Sequence, residues 1–257
     1  MARAPVFRVV EREWLVWRRL WRASVFSAFV TPVLFLAAMG LGLGGLVQKG
    51  TGNVGGVSYL DFVAPGLMAA SVALMAAGES LWPVMGGVKW MRTYHAAVAT
   101  PVTADDVFTG HLFWVAFRTT LAATVFLIVA ALLDAIPSAW GVLAIPAAVL
   151  GAIALAAPLA AYAVMQDSDL PFALIMRLGV FPLFLFSATF FPLSQLPDWL
   201  QPLAVLSPLW HAVVLCRMAT TGIADWAAAI GHIAALVVFI AIGYWFGTRN
   251  FTRRLTQ

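Results

Sequence analysis

Long apolar runs alternate with short polar segments along the chain, and the length of these runs predicts the fold. A transmembrane helix needs about 20 apolar residues, and we assign such spans to 24–47, 59–85, 107–133, 140–165, 170–191 and 226–247. The apolar residues are continuous rather than alternating, which favours helices over the strands of a barrel. We therefore expect an all-α polytopic membrane protein with six transmembrane helices.

The residues before the first run have the pattern of a helix with two faces. Apolar side chains recur at spacings of three and four over residues 3–22: Val6, Val10, Trp14, Trp17 and Trp21. Arginines occupy the opposite side, a distribution typical of a helix that lies in the headgroup layer. The sequence thus predicts an amphipathic N-terminal interfacial helix over 1–23 and a six-helix transmembrane domain over 24–257. A flexible basic tail is the alternative for the first segment.

The longest polar stretch inside the chain, Met85–Phe108, separates the second and third runs. Its charged and titratable residues include Lys89, Arg92, His95, Asp105 and Asp106. Between two membrane spans it is the internal stretch best placed to meet a soluble partner. We expect it to couple the membrane domain to a separate protein that supplies energy.

The stretch between the fifth and sixth runs is apolar but interrupted by proline. Four prolines fall within 191–221: Pro192, Pro197, Pro202 and Pro208. Proline removes a backbone donor and clashes with the preceding turn, so one uninterrupted spanning helix is excluded. Short half-helices that enter the membrane and return are expected, buried in protein rather than exposed to lipid.

Glu79 is a carboxylate inside the second apolar run. A charged side chain at the bilayer centre costs about 2.5–3.5 kcal/mol on insertion scales, so it should face protein, water or a cation. Two interpretations are open at this point. Glu79 is either a polar group on a transport path or gate, or a carboxylate near the end of the span that pairs with Lys89 or Arg92.

Composition and charge support the membrane assignment. Hydrophobic residues make up 63% and charged residues 10% of the chain, against about 45–50% and 25% in globular domains, and the mean hydropathy is +0.94. The net charge is +4, but the basic residues cluster at the ends of the spans, so membrane orientation explains them better than nucleic acid does. If both termini share one side, the opposite side holds only Lys49 and Arg217 of the 15 basic residues. This bias predicts that both termini are cytoplasmic.

Several kinds of catalytic chemistry lack their motif in this sequence. There is no GxxxxGK[ST] phosphate loop, no HExxH pair and no nucleophile elbow, and Cys216 is the single cysteine. We therefore expect neither nucleotide hydrolysis, nor a cofactor, nor a metal in this chain. A polytopic enzyme, a secondary carrier and a membrane scaffold stay as alternatives to an energy-coupled transporter.

Five segments carry a resemblance to a known family, in the family's order. They are YLDFVAPGLMAASVAL (59–74), Glu79-Ser80, RTYHAAVATPV (92–102), FSATFFPLSQLP (186–197) and SPLWHAVVLCR (207–217). In these segments the chain resembles the type-2 ABC exporter permeases, and among them most closely the nodulation-factor (NodJ-type) lipooligosaccharide export permeases. One departure is Ala188, where the family pattern leads us to expect glycine.

The resemblance implies a role for the polar stretch after the second span. In such permeases this stretch forms a short coupling helix that docks in a cleft of the ATPase, which here corresponds to 92–100 with Pro101 ending it. Arg92 and Tyr94 are the expected contacts. The helix also contains Thr93, His95, Ala97 and Val98.

The resemblance further implies a gate, partners and a cargo. The segment 191–221 corresponds to an outer re-entrant gate, and our candidates for the gate or path are Glu79, Phe29, Phe35, Phe184, Phe191, Pro208, His211 and Arg217. The expected unit pairs two permease copies, as a homodimer, with two ATPase subunits that bind ATP and Mg²⁺. It sits in the bacterial inner membrane among lipids and exports an amphipathic glycolipid, lipooligosaccharide or polysaccharide-type substrate. A drug or antibiotic efflux permease is the alternative, and a secondary carrier is less favoured.

Overall fold

A computed structural model of the protein describes residues 5–38, 42, 56–223 and 225–256. These residues are mainly helical and contain no extended β-strand. Their α-helices are α1 Pro5–Ala37, α2 Tyr59–Met85, α3 Thr93–Val98, α4 Ala104–Leu132, α5 Ala144–Ala163, α6 Leu170–Leu174, α7 Phe181–Phe186, α8 Gln201–Val205, α9 Pro208–Thr221 and α10 Trp226–Leu255. Shorter turns join them: π-helical at Gly86–Trp90 and Ile175–Val180, and 3-10 at Ala139–Leu143 and Leu193–Gln195.

Four helical segments are long and apolar enough to cross a membrane: Tyr59–Trp90, Ala104–Leu132, Ala139–Ala163 and Trp226–Leu255. They confirm the second, third, fourth and sixth runs as long apolar helices. The fifth run holds a shorter apolar stretch, Leu170–Phe186, which the π-helical turn divides into α6 and α7. The later part of the first run and the Gly-rich loop after it lie largely outside the described residues.

Helix α1 continues through the boundary that the sequence pattern placed at residue 23. It runs from Pro5 to Ala37 with Pro32 inside it. The structure therefore has no helix end that would separate an interfacial helix from the first span.

The N-terminal half of α1 packs along α4. A Cβ atom on Gly110 would lie 2.7 Å from Cβ of Val9, so the glycine lets the two helices approach closely. Farther along, the rings of Trp14 and Trp17 meet the ring of Phe117 edge-on, at 5.6 and 6.0 Å between centroids. Part of the predicted apolar face of α1 is thus turned toward protein.

Helix α2 lies at the centre of the bundle and α10 at its periphery. In their most apolar stretches α2 is 72% buried and α10 only 17% buried. Alanines such as Ala69, Ala73 and Ala76 are buried on α2, and small residues let membrane helices approach closely. The exposed apolar side chains of α10, such as Val237 and Ile242, are suited to lipid.

The helices define two ends of the bundle. At the basic end, Asp167 in the link after α5 lies 2.6 Å from Arg254 of α10 and 3.7 Å from Lys89 of the π-helical turn after α2. At the far end, the Ser138 amide before α5 donates to Thr220 O at the end of α9, at 3.0 Å. The polar stretch between α2 and α4, with α3 inside it, therefore lies at the basic end.

A capping box sets the start of α4. The Asp106 amide donates to Oγ1 of Thr103 at 3.1 Å, and the Asp106 carboxylate accepts from the Thr103 amide at 2.9 Å. Such reciprocal bonds satisfy donors that a helix leaves free at its N-terminus. Asp106 is thus a capping residue of α4.

Candidate functional site

The expected coupling helix corresponds to α3 at the basic end of the bundle. The structure forms a helix over Thr93–Val98, within the range that the resemblance implied. Arg92 precedes it with φ 52°, a left-handed conformation. This conformation reverses the chain after the π-helical turn and allows α3 to lie against the ends of α2 and α10.

Tyr94 anchors α3 to the bundle. Its side chain is only 4% exposed, and its ring lies 6.0 Å from the ring of Phe251 on α10. A Cβ atom on Gly87 would lie 2.7 Å from the Tyr94 ring, so that glycine makes room for the ring. Burial raises the pKa of Tyr94, so the phenol stays neutral at physiological pH.

The burial of Tyr94 corrects its expected role. A side chain turned into the core of its own chain is not available as a docking contact, whereas Arg92 is exposed. Thr93, His95, Ala97 and Val98 are half-buried. The surface that a partner would meet at α3 is formed chiefly by Arg92, Ala96, Ala99 and Thr100.

Aromatic contacts tie α4 to the last turns of α10, next to Tyr94. The Phe108 ring lies 4.9 Å from Phe251 and 5.5 Å from Tyr244, and the hydroxyls of Thr109 and Tyr244 are 2.8 Å apart. Gly247 makes this packing possible, because any Cβ atom there would overlap the Phe108 ring. The end of α10 thus joins α3 to the bundle.

Replacing Gly247 with alanine is expected to destabilise the fold by about 1–2 kcal/mol, because overpacking forces neighbouring side chains and backbone to shift. The matched control is Gly231→Ala on the same helix, where a Cβ meets nothing within 4 Å. That variant should unfold at the wild-type temperature or above, since alanine is the better helix former. A thiol-reactive dye reports unfolding in detergent, because Cys216 is the single cysteine and is fully buried. Equal melting of the two variants would contradict the packing argument.

Asp167 ties the end of α10 to the turn after α2. Besides the two ion pairs, Nζ of Lys89 donates to the backbone carbonyl of Asp167. The hydrogen bond from Arg254, and then the charges of Arg254 and Lys89, lower the pKa of Asp167. A lowered pKa means that the tie is present above the ordinary carboxyl pKa and is lost only as the pH falls through the folded value. Because Asp167 is exposed, its energetic contribution is small.

Replacing Arg92 with glycine is expected to stabilise the fold by about 0.5–1 kcal/mol. The left-handed conformation costs an L-residue roughly 1–2 kcal/mol, and the extra freedom of unfolded glycine returns about 0.4–1 kcal/mol of that. Arg92 is exposed, so no buried contact is lost. The same dye melt measures the change. A lower melting temperature would show that the Arg92 side chain stabilises the turn.

Glu79 forms an ion pair with Arg118 of α4, at 3.2 Å. One of the two interpretations paired Glu79 with Lys89 or Arg92. The structure has an ion pair, but with Arg118 as the partner, and Lys89 lies near Asp167 instead. The Glu79 and Arg118 side chains are 22% and 18% exposed. The carboxylate therefore has its cation inside the bundle and links α2 to α4.

The proline-broken stretch folds into short helical pieces at the far end. After α7 come a 3-10 turn, the five-residue α8 and then α9, with Pro208 at its first helical position. Ser207 caps α9 by accepting from the Leu209 amide at 3.1 Å, and its hydroxyl lies 3.0 Å from that of Ser187. The contact between the two hydroxyls thus attaches the start of α9 to the residue that follows α7.

Arg217 joins α9 to two other parts of the chain. Its Nε donates to the carbonyl of Phe62 at 3.2 Å, and its Nη2 donates to the carbonyl of Ala188 at 2.8 Å. The guanidinium carbon also lies 3.8 Å from the centre of the Phe62 ring, within the range of a cation–π contact. Among the described residues no carboxylate pairs with Arg217.

The turn that Arg217 holds has a left-handed residue at its centre. Ala188 has φ 57° and is buried. Glycine adopts this conformation without steric cost, which is why glycine suits the position where the family pattern led us to expect it. A Cβ atom on Gly66 of α2 would lie 2.7 Å from the Thr189 carbonyl oxygen, so the turn also rests directly on α2.

The remaining gate candidates are dispersed. His211 of α9 pairs with His232 of α10, with 2.8 Å between their Nδ1 atoms. The Phe184 ring is 8% exposed and packs on Phe190, at 5.4 Å between centroids. Phe191 is half-buried and Phe35 is exposed, whereas the side chain of Phe29 lies outside the described residues.

The structure brings Pro208, His211 and Arg217 together on α9 and keeps Glu79 apart from them. Arg217 contacts Phe62, which is 17 residues before Glu79 on α2, a rise of about 25 Å at 1.5 Å per residue. Sequence reasoning missed Arg118 and His232 as partners. Their spacing along the chain carries no signal for these pairs, since both are contacts between different helices.

An apolar cleft of about 580 Å³ opens at the far end, between α5, α9 and α10. Its lining includes Leu150, Leu215 and Ala229. Trp140 and Trp226 also line it and are strongly exposed, and tryptophans are enriched where a membrane meets water. The cleft therefore offers an apolar surface within reach of a membrane interface.

Four long apolar helices, with basic residues gathered at one end, are the features of a polytopic membrane protein. The chain matches the ABC-2 type transporter family over residues 5–220 and belongs to that family. It is 31% identical over 249 residues to nodulation protein J of Rhizobium leguminosarum bv. viciae, which covers 97% of this chain and 94% of the relative. Nodulation protein J of Bradyrhizobium diazoefficiens is 32% identical over 251 residues, with 97% and 93% covered.

Family membership confirms the resemblance that the five sequence segments carry. The chain is a multi-pass membrane permease of an ABC transporter. Permeases of this family work with an ABC ATPase, and this chain is the transmembrane subunit rather than the catalytic one.

Proposed function

We propose that the chain is the permease of an ATP-driven exporter that moves an amphipathic glycolipid or lipooligosaccharide out across the bacterial inner membrane. The observation that carries the proposal is α3, a short helix with an exposed outer surface and a buried anchor at Tyr94. Since Tyr94 and Gly87 fix α3 to the bundle, a push on the exposed surface passes directly to α2 and α10.

The cargo class rests on two supporting observations. The relatives are named nodulation protein J, which agrees with the lipooligosaccharide class that the resemblance implies. The apolar cleft between α5, α9 and α10 has the size range of small-molecule sites and suits an acyl chain. Drug or antibiotic efflux is the second candidate, because an apolar cleft also accepts an apolar drug. A secondary carrier fits less well, since Glu79 is already paired with Arg118.

The working unit we propose is a permease homodimer with two ATPase subunits that bind ATP and Mg²⁺. The chain spans the membrane six times with both termini in the cytoplasm, so that the basic end and α3 face the ATPase. Residues 1–23 lie beside the ATPase at the membrane surface, and 191–221 forms the outer gate. ATP binding closes the ATPase pair, α3 moves, and the permease pair opens to the outside.

The first experiment is a pull-down of the tagged chain from mild detergent, followed by mass spectrometry of the proteins bound to it. An ABC ATPase at one-to-one stoichiometry is the expected result. A chain that brings down no nucleotide-binding protein, even after crosslinking, would overturn the proposal.

Docking at α3 is tested by Arg92→Glu, which reverses a charge on the exposed surface. We expect loss of the co-purified ATPase and of ATP-dependent transport, with membrane insertion unchanged. The matched control is Arg253→Glu, an exposed arginine at the same end but on α10, which should keep the ATPase. Equal losses from both variants would mean that overall charge, rather than α3, determines binding.

The cargo is tested in inverted vesicles that contain the permease and its ATPase. ATP-dependent accumulation of a lipooligosaccharide, without accumulation of an apolar cationic drug, is expected. The reverse preference would favour the efflux alternative, and accumulation without ATP would favour a carrier.

A further inference from the structure

His211 and His232 form a direct imidazole pair between α9 and α10. Their Nδ1 atoms are 2.8 Å apart and the ring centroids are 5.0 Å apart. The centroid distance is close to the hydrogen-bond length plus the two ring radii, so the two Nδ1 atoms point almost straight at each other. This is the geometry of a shared proton. A metal ion would need both lone pairs to converge on a third point.

The pair is held in place by Trp210. The indole lies 5.0 Å from the His211 ring and 4.9 Å from the His232 ring, edge-on to both. Both imidazoles are only partly buried, so protons reach them. His211 lies in the first turn of α9, so the pair connects the proline-broken stretch to α10.

The number of protons on the pair determines whether the hydrogen bond exists. The bond needs one Nδ1 that carries hydrogen and one that does not. A neutral pair meets this condition with one Nδ1–H tautomer, and a pair with one extra proton meets it with an imidazolium donor. A second extra proton places hydrogen on both Nδ1 atoms, which removes the acceptor and sets two positive charges side by side.

The helices packed on the pair supply few other charges. The helices α5, α7 and α8 and the Ala139–Leu143 turn carry no charged residue. On α2, Glu79 is bound to Arg118 of α4, and Asp61 adjoins Phe62 beside Arg217. The other titratable or charged groups on α2, α3, α4, α5, α9 and α10 are Tyr59, Tyr94, His95, Asp105, Asp106, His111, Tyr162, Cys216, Tyr244, Arg249, Arg253 and Arg254.

We propose that His211 and His232 are a proton-dependent clasp, which holds the start of α9 against α10 and releases it when both rings are protonated. The ligand is the proton, taken from the aqueous phase. The clasp sets how readily the 191–221 stretch moves away from α10. Its role in an outer gate rests on the proposed function, but proton binding and release do not.

Two signals report the state of the clasp, and both are measured on the full-length chain in detergent with neither ATPase nor substrate present. A protonated imidazole quenches indole fluorescence more strongly than a neutral one. Subtracting the emission of Trp210→Phe from that of the wild type removes the contribution of the other tryptophans. The remaining Trp210 emission reports protonation of the histidine pair. Cys216, five residues beyond His211, is fully buried with Sγ 3.4 Å from the Ala144 carbonyl. Its labelling by a maleimide therefore reports displacement of α9. Each rate is divided by that of the same chain unfolded in detergent at the same pH, which cancels the intrinsic pH dependence of the thiol.

The pH is lowered from about 7.5 to about 4, well below the ordinary histidine pKa of about 6.5, because the second proton has to be added beside a positive charge. In the wild type we expect the Trp210 emission to fall and the normalised Cys216 labelling to rise several-fold. In His232→Gln the Trp210 emission should still fall, because His211 is in contact with the indole and takes a proton. The Cys216 labelling should change little, because the amide oxygen still accepts from a protonated His211 and no second cation forms. In His232→Phe labelling should be fast at both pH values.

Three results would overturn the clasp. One is wild-type labelling that does not change with pH, and a second is the same pH response of Cys216 labelling in His232→Gln. The third is a Trp210 signal that titrates while Cys216 stays protected. Because none of these signals needs transport, they fail or succeed independently of the exporter proposal.

Discussion

Replacing Arg217 with alanine is expected to destabilise the fold by about 2–3 kcal/mol and to abolish transport. Two hydrogen bonds from a charged donor contribute about 1.5–3 kcal/mol each, and a desolvated cation–π contact contributes about 2 kcal/mol. Part of this is offset, since removing the guanidinium also removes the cost of burying a charge that no carboxylate among the described residues pairs with. The loss of stability is concentrated in one region, because Arg217 of α9 contacts both the Ala188 turn and the start of α2.

Two further variants separate the charge of Arg217 from its shape. Lysine keeps the charge but not the planar fork that reaches two carbonyls and stacks on Phe62, so Arg217→Lys should melt between wild type and alanine. Methionine keeps the length without the donors, and Arg217→Met should resemble alanine in transport. The Cys216 dye melt and vesicle transport measure both effects. An alanine variant that melts like wild type would show that Arg217 does not hold the broken stretch.

Removing one member of the Glu79–Arg118 pair is expected to be the other large effect. Breaking a buried ion pair costs about 3–5 kcal/mol, because the remaining charge is left without a partner. Both side chains are about one-fifth exposed, so we expect roughly 2–4 kcal/mol for Glu79→Ala after allowance for solvent screening. Arg118 would then lose the carboxylate that pairs with it at 3.2 Å.

The double variant Glu79→Leu with Arg118→Met tests this explanation. Replacing both charges with apolar residues of similar volume often leaves stability unchanged or higher. We therefore expect the double variant to regain most of the melting temperature that Glu79→Ala loses. If it also keeps ATP-dependent transport, the pair is structural. If it folds but does not transport, Glu79 belongs to the path. A double variant less stable than Glu79→Ala would contradict the unpaired-charge argument.

Much of the helix content was predictable because local signals determine it. Four apolar runs form long helices that begin within a few residues of their predicted starts. Of these four helices, α10 extends well past its predicted end, from 247 to Leu255. The prolines at 192, 197, 202 and 208 interrupt the stretch between the fifth and sixth runs, because proline lacks the backbone N–H that a continuous helix needs. The family pattern favours glycine at 188, but the left-handed conformation of that residue was not predicted.

The contacts inside the sites were not predictable, because they join residues far apart in the chain. Nothing near Glu79 in sequence indicates Arg118, and nothing near His211 indicates His232. Tyr94 was expected to contact the ATPase because the family resemblance implies it, whereas its burial depends on Gly87 and Phe251. The sequence does not indicate that α1 continues past residue 23, because the amphipathic segment and the apolar segment are both helical. Their surroundings differ only through the packing on α4.

Helix α10 has 30 residues, which corresponds to about 45 Å, well beyond the thickness of about 30 Å of a bilayer core. Phe251 near one end contacts Tyr94 of α3, and His232 near the other end binds His211 of α9. The two residues are 19 positions apart, which corresponds to about 28 Å of unbroken helix. In the mechanism we propose, a rigid rod of this length would act as a lever, so that a small tilt imposed at α3 would reach α9 without any change in the fold between them.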